Sequence, residues 1–466
     1  MDPSEIPERS ALWFGQKSQQ FGFGQLFDQI TIVVTVALSL FSLVVFWPII
    51  AQIEFEEAFF TPLLPAVITA LGYLGLTPSA VLRLLFITSF VASTAGFYLL
   101  VRVLTRRQIT PILAAVIYTL PPVPVFVLTF LRQGLLEAEL SAARSFFSIV
   151  YGDGAHFLAL ALIPVAAIFF LRYIKLGRVN DLVVTALITT LVLLANRSQS
   201  LSLFLVFLVV VATELFLGSP GEKFKRFWQV LLLSIGLASF WYTPEFLLKS
   251  FWLLGRHMAA NIDLLLPLPL VMVVILLFFS YAFFAKREDR QPIFVAFLLL
   301  IVFLIIVGGW LFYGRSLLPY PYRFLANLNM FGSIVLALGI TAVIDKLHLV
   351  EALHFANWPA SLKVVGALAF GLFSFLGLAL VAFFLSPLAI LAVAGPSSIW
   401  SRVRLSVLAE REETLRVAGG AFELASPGGE SWQVAVGILI SLIFLGVCGW
   451  LVFKPFDSAQ GKSSKL

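Results

Sequence analysis

Apolar runs about as long as a bilayer is thick recur along most of this chain, and they constrain its fold more than any motif does. A helix needs roughly 20 apolar residues to cross about 30 Å of hydrocarbon. Runs near that length lie at Asp28 to Ile50, Ala80 to Val101, Thr110 to Leu131, Ala155 to Arg172, Asp181 to Ala195 and Ser200 to Leu217. Others follow at Trp228 to Glu245, Leu264 to Ala285, Pro292 to Leu311, Asn327 to Asp345, Lys363 to Leu385 and Trp432 to Phe453. They predict an all-α polytopic integral membrane protein with about 12 transmembrane helices. Only 12% of the 466 residues are charged, about half the share found in soluble domains. The segments left between runs are too short to bury a core of their own. The expected organisation is therefore a 1–27 cytoplasmic or interfacial segment, one transmembrane domain over 28–453 and a cytoplasmic tail over 454–466.

A net charge of +6 and a pI near 9.4 do not point to nucleic acid, because the basic residues are scattered through short connections. They read instead as topology signals. Arg102, Arg106 and Arg107, then Arg172, Lys175 and Arg178, then Lys223, Lys225 and Arg226 occupy alternate connections. Lys286, Arg287 and Arg290, then Lys346 and Lys363, and finally Lys454, Lys462 and Lys465 continue the series. By the positive-inside rule this predicts a multi-pass protein of the plasma (inner) membrane with both termini cytoplasmic. The count holds only if Thr61 to Thr77 does not span. Its prolines 62 and 65 and glycines 72 and 75 favour a juxtamembrane or re-entrant helix in the first outer loop. Met1 to Gln29 lacks a small-residue cleavage site, so the first run is expected to be a retained anchor. The single cysteine, Cys448, lies in the last run, where it reads as a packing residue.

Charge then gathers at the outer face. Glu54, Glu56 and Glu57 follow the first run directly. Arg132, Glu137, Glu139 and Arg144 occupy a second outer loop, Lys249, Arg256 and His257 a third, Arg315 and Arg323 a fourth. Residues 395–431 are mostly polar and are expected to form an amphipathic helix on the outer surface. The run Asp181 to Ala195 covers only about 22 Å, so the turn Asn196-Arg197-Ser198-Gln199-Ser200 is expected below the outer surface, as the floor of a pocket. The runs themselves hold almost no ionisable groups away from their ends, which disfavours an ion-coupled carrier.

Several soft motifs carry a resemblance. The acidic first outer loop is followed by Gly72-Tyr-Leu-Gly-Leu-Thr-Pro78, Ala95-Gly96-Phe-Tyr98 with Arg102 and Arg106 behind it, and Ala114-Ala-Val-Ile-Tyr118-Thr-Leu-Pro121. Gly236-Leu-Ala-Ser-Phe-Trp241 with Pro244, and Pro321-Tyr-Arg323-Phe-Leu, extend it. Over roughly residues 28 to 345 the chain resembles the GT-C superfamily of membrane glycosyltransferases. More narrowly it resembles the bacterial and archaeal membrane proteins labelled as related to 6-pyruvoyl-tetrahydropterin synthase, a label that implies no pterin chemistry.

The resemblance implies transfer from a polyprenyl-phosphate sugar donor at the outer membrane face, with an acid of the first outer loop as general base. That role falls on Glu54, Glu56 or Glu57. This sequence reads Glu-x-Glu-Glu where many relatives have an aspartate, and no large soluble C-terminal domain follows. For phosphate, the candidates are Arg323 and Arg197, beside Asn196, with Arg132, Arg144, Arg256 and His257 as further contacts. Each has a plainer alternative: a solvated acidic loop, interfacial snorkelling, or for Arg197 a structural pair with Glu137 or Glu139. A divalent cation on Glu54 and Glu56 is possible in principle; His348 and His354 have no ligand companion at usable spacing. The expected partners are the lipid-linked donor, membrane lipids and a glycan, lipid or protein acceptor. The competing readings are a lipid-linked saccharide transporter or flippase and a catalytically silent lipid-binding scaffold.

Overall fold

The computed structural model describes residues 29–50, 61–105, 109–119, 154–216, 220–265, 291–313, 315–319, 321–346 and 431–453. Every regular element among them is helical. In chain order these are α1 (Gln29–Ile50), α2 (Leu63–Gly72), α3 (Pro78–Thr105), α4 (Ile109–Thr119), α5 (Gly154–Leu176) and α6 (Val179–Ala195). They continue with α7 (Arg197–Phe216), α8 (Pro220–Ala238), α9 (Pro244–Ala260), a 3-10 turn Ile262–Leu265, α10 (Gln291–Tyr313), a 3-10 turn Pro321–Phe324, α11 (Leu325–Lys346) and α12 (Ser431–Phe453). Among the described residues five stretches are long and apolar enough to cross a membrane: Pro78–Thr105, Ala155–Leu176, Arg197–Glu214, Leu325–Ala342 and Trp432–Phe453. The chain is a helical membrane protein on that ground. Residues 120–131, 266–285 and 363–385 of the expected runs, and 395–430 of the expected amphipathic segment, lie outside the described residues.

Helix directions follow from side-chain contacts. Phe90 of α3 meets Phe157 of α5 with ring centroids 4.2 Å apart, and a Cβ on Gly96 would stand 3.2 Å from Val165. The numbers rise together, so α3 and α5 run parallel, and the bare Gly96 lets them approach closely. Short connections then make α6, α7 and α8 alternate beside α5. Salt bridges fasten one end of this set. Arg172 meets Asp181 at 3.2 Å, and Glu214 is held by Lys223 at 2.8 Å and Lys175 at 3.4 Å. Arg226 donates to the last carbonyls of α5, Ile174 at 2.6 Å and Lys175 at 3.3 Å. Gly177 ends α5 at φ +66, a left-handed conformation that favours glycine, and a Cβ there would push the Arg226 guanidinium aside. This is the basic end. That the connections 172–178 and 223–226 share it agrees with the alternation of charge along the sequence.

The first helices fit the same frame. Ser42 of α1 donates to the Phe90 carbonyl and accepts from Thr94, while Val34 and Leu38 share a groove with Ile112 and Val116 of α4. Hence α1 runs antiparallel to α3 and finishes at the end opposite the basic one, where α3 starts. The ten residues of α2, about 15 Å long, are too short to cross. They connect two helices at that same end, as the prolines and glycines of Thr61 to Thr77 predict.

Interhelical hydroxyls tie the interior where apolar packing alone distinguishes little from lipid. Ser93 bonds Tyr118 at 2.8 Å, and Thr110 donates to Thr341 at 3.1 Å. Two expectations shift. The run Trp228 to Glu245 stops being helical at Ala238 and turns through Ser239 to Thr243. The expected loop after Glu245 is instead the 17-residue α9. Thr243 caps it by accepting from the Phe246 amide at 3.3 Å and Pro244 opens it, a pairing that starts a helix.

Candidate functional site

The end opposite the salt bridges is built around the break between α6 and α7. Asn196 is extended at φ −156, ψ 124, and it serves both helices. Its amide closes α6 on the Val192 carbonyl at 3.0 Å, and its side-chain oxygen accepts from the Gln199 amide at 3.1 Å, capping α7. The final carbonyls of α6 have no helical partners of their own. Remote residues satisfy two of them: the Tyr242 hydroxyl donates to Leu193, and the Thr61 hydroxyl to Ala195. The segment that follows Glu57 by four residues is thereby tied to the Asn196 turn.

A second set of contacts brings in the Pro321–Phe324 turn. Gln199 is fully buried. Its Nε2 donates toward the Arg323 carbonyl at 3.3 Å and the Asn327 Oδ1 at 3.2 Å, while Asn327 Nδ2 returns a bond to Gln199 Oε1 at 3.1 Å. Ser202 also donates to Asn327 Oδ1 at 3.2 Å. The His156 ring approaches Gln199 Nε2 at 3.1 Å through its own Nε2. Four segments distant in sequence therefore meet here: the start of α2, the start of α5, the α6–α7 break and the turn that opens α11.

The candidate residues separate accordingly. Asn196, Arg197 and Arg323 come to one end. Asn196 is buried, Arg323 half-buried and Arg197 exposed, its guanidinium 5.4 Å over the Phe246 ring. Asn196 and Gln199 are buried and meet polar protein groups. Arg256 and His257 sit in the last turn of α9, about 15 Å along the helix from Phe246. Arg256 lies 5.4 Å over Trp252, and His257 Nε2 donates to the Ser316 carbonyl at 3.0 Å. They belong to a different part of that end. Glu54, Glu56, Glu57, Arg132 and Arg144 lie outside the described residues. Among the described residues no three His, Cys, Asp or Glu side chains group as a metal site; the pair suggested for a cation, Glu54 and Glu56, is outside them.

Sequence reasoning singles out the turn that holds Gln199 but assigns no role to Thr61, His156, Ser202 or Asn327. Some signals were present. His156 is an ionisable residue inside an apolar run, and Asn196-x-x-Gln199 is a helix-cap pattern with glutamine at the third helical position. Nothing local distinguishes Thr61 or Ser202 from other hydroxyls.

Arg197 and Arg323 thus stand on neighbouring segments at the same end of the bundle. Compared with protein-family models, curated proteins and solved structures, the chain matches none.

Proposed function

We propose that this chain is a membrane-embedded glycosyltransferase of GT-C type, using a polyprenyl-phosphate-linked sugar at the outer face of the inner membrane. The fold proposed with it has about 12 spans, and both termini are cytoplasmic. The observation that supports this reading most is the pair of tethers from Thr61 to Ala195 and from Gln199 to the Arg323 carbonyl. They draw the chain just after Glu54 to Glu57 toward the two arginines. In the proposed reaction one of these carboxylates takes the proton of an acceptor hydroxyl. The acceptor oxygen forms a bond to the anomeric carbon as the bond from that carbon to the phosphate oxygen breaks. The electron pair leaves with polyprenyl phosphate, whose extra negative charge Arg197 and Arg323 stabilise. The glutamic acid then returns its proton to water.

The test is sugar transfer in proteoliposomes from a radiolabelled polyprenyl-phosphate hexose to endogenous membrane acceptors. Changing all three glutamates to glutamine should abolish transfer, and one of the single changes should cost about two to four powers of ten. Full activity in the triple variant removes the proposed base.

A further inference from the structure

A buried glutamine, Gln199, reaches the Arg323 carbonyl at 3.3 Å, and its environment fixes which way its amide faces. Gln199, Ser202 and Asn327 are fully buried, and His156 is 1% exposed. Oxygen and nitrogen of an amide are interchangeable unless a partner discriminates between them. Here the Arg323 carbonyl discriminates, since it can only accept and stands 3.3 Å from Gln199 Nε2. With that nitrogen fixed, the reciprocal bonds set Asn327 as well: Nε2 to Oδ1 at 3.2 Å, Nδ2 to Oε1 at 3.1 Å. The two Nε2 hydrogens thus face three neighbours, Asn327 Oδ1, the Arg323 carbonyl and the His156 ring.

We infer that Gln199 is a positioning residue for Arg323, holding its backbone so that the guanidinium meets a lipid-borne phosphate in a set geometry. Arg323 is constrained from both sides. Pro321 fixes the backbone two residues before it, and Phe324 after it is buried at 1% exposure with its ring 6.2 Å from Phe303. The carbonyl between Arg323 and Phe324 is the atom Gln199 grips. A guanidinium on an immobilised backbone loses less freedom when it binds an anion than one on a loose loop. The glutamine's own amide is in turn locked by Asn327, which Ser202 steadies. This role rests on the proposed reading of the site for its ligand, but not for its geometry.

Two measurements test it. The first uses binding of a sugar-free polyprenyl monophosphate to the purified full chain, followed by native mass spectrometry. Gln199→Met should weaken binding about tenfold, the effect of losing one hydrogen bond in a buried site, and should add nothing in an Arg323→Ala background. An equal loss in both backgrounds overturns the inference. The second needs no ligand: in a Cys448→Ala background, Arg323→Cys is labelled with a membrane-impermeant thiol reagent. Gln199→Met should change the labelling rate severalfold, while Ser333→Ala, a buried change elsewhere on α11, should not; an unchanged rate in the glutamine variant overturns the inference. If Gln199→Met does not fold, Asn327→Ser, which frees the amide but leaves it in place, is expected to act in the same direction. Failure of the wild type to bind the lipid phosphate, with the labelling shift intact, counts against the proposed function and leaves the positioning role standing.

Discussion

The hydroxyl of Thr61 donates to the carbonyl of Ala195, across 134 positions of sequence. One partner begins the stretch after the acidic segment, and the other is the last residue of α6. Thr61→Val keeps the shape and leaves a helix-terminal carbonyl unpaired in a site only 9% exposed. The expected loss is about 1 to 3 kcal/mol, read as a lower melting temperature in detergent by intrinsic fluorescence. Thr61→Ser should recover most of it. If the proposed function holds, Thr61→Val also lowers transfer, because the acidic segment loses its tether.

The Arg172–Asp181 pair at the basic end gives an independent check on stability. Both side chains are more than nine-tenths buried, so removing Asp181 takes away the carboxylate that offsets burial of the Arg172 charge. Asp181→Leu should cost about 3 to 5 kcal/mol, whereas the double change Arg172→Met with Asp181→Leu should restore most of the loss. Thermal melts of the three variants decide this, and ligand binding at the opposite end is not expected to change in the double variant.

The two ends should also lie on opposite sides of the membrane. In a Cys448→Ala background, Lys223→Cys and Arg256→Cys are expected to react with an impermeant thiol reagent from opposite faces of oriented vesicles. By the charge rule the lysine position should be cytoplasmic. Labelling of both from one face contradicts the alternation of α5, α6, α7 and α8.

Much of this was legible in the chain. Run length and hydropathy identify α3, α5, α7, α11 and α12 because hydrocarbon thickness sets how many residues a span needs. The helix-breaking residues of Thr61 to Thr77 anticipate the short α2, and the brevity of Asp181 to Ala195 anticipates the break at Asn196. What stayed hidden has a common physical cause. Asn327, Ser202 and Thr61 acquire meaning only from partners more than a hundred residues away, and the local cap pattern at Gln199 does not encode its bonds to Arg323 and Asn327. The charged residues Lys249, Arg256 and His257 mark Glu245 to Asp263 as an outer connection, while the cap Thr243-Pro244 is the local sign that it is helical. Charge alone groups Arg256 and His257 with Arg197 and Arg323, and the length of α9 separates them.

The central claim is that the first acidic segment shares one site with the arginines. Disulfide-forming cross-linking measures it directly: in the Cys448→Ala background, Glu56→Cys is paired in turn with Arg197→Cys, Arg323→Cys and Lys223→Cys. The account predicts efficient linking to position 197 or 323 with a short thiol cross-linker and none to 223. Linking to 223, or to neither arginine position, would contradict it.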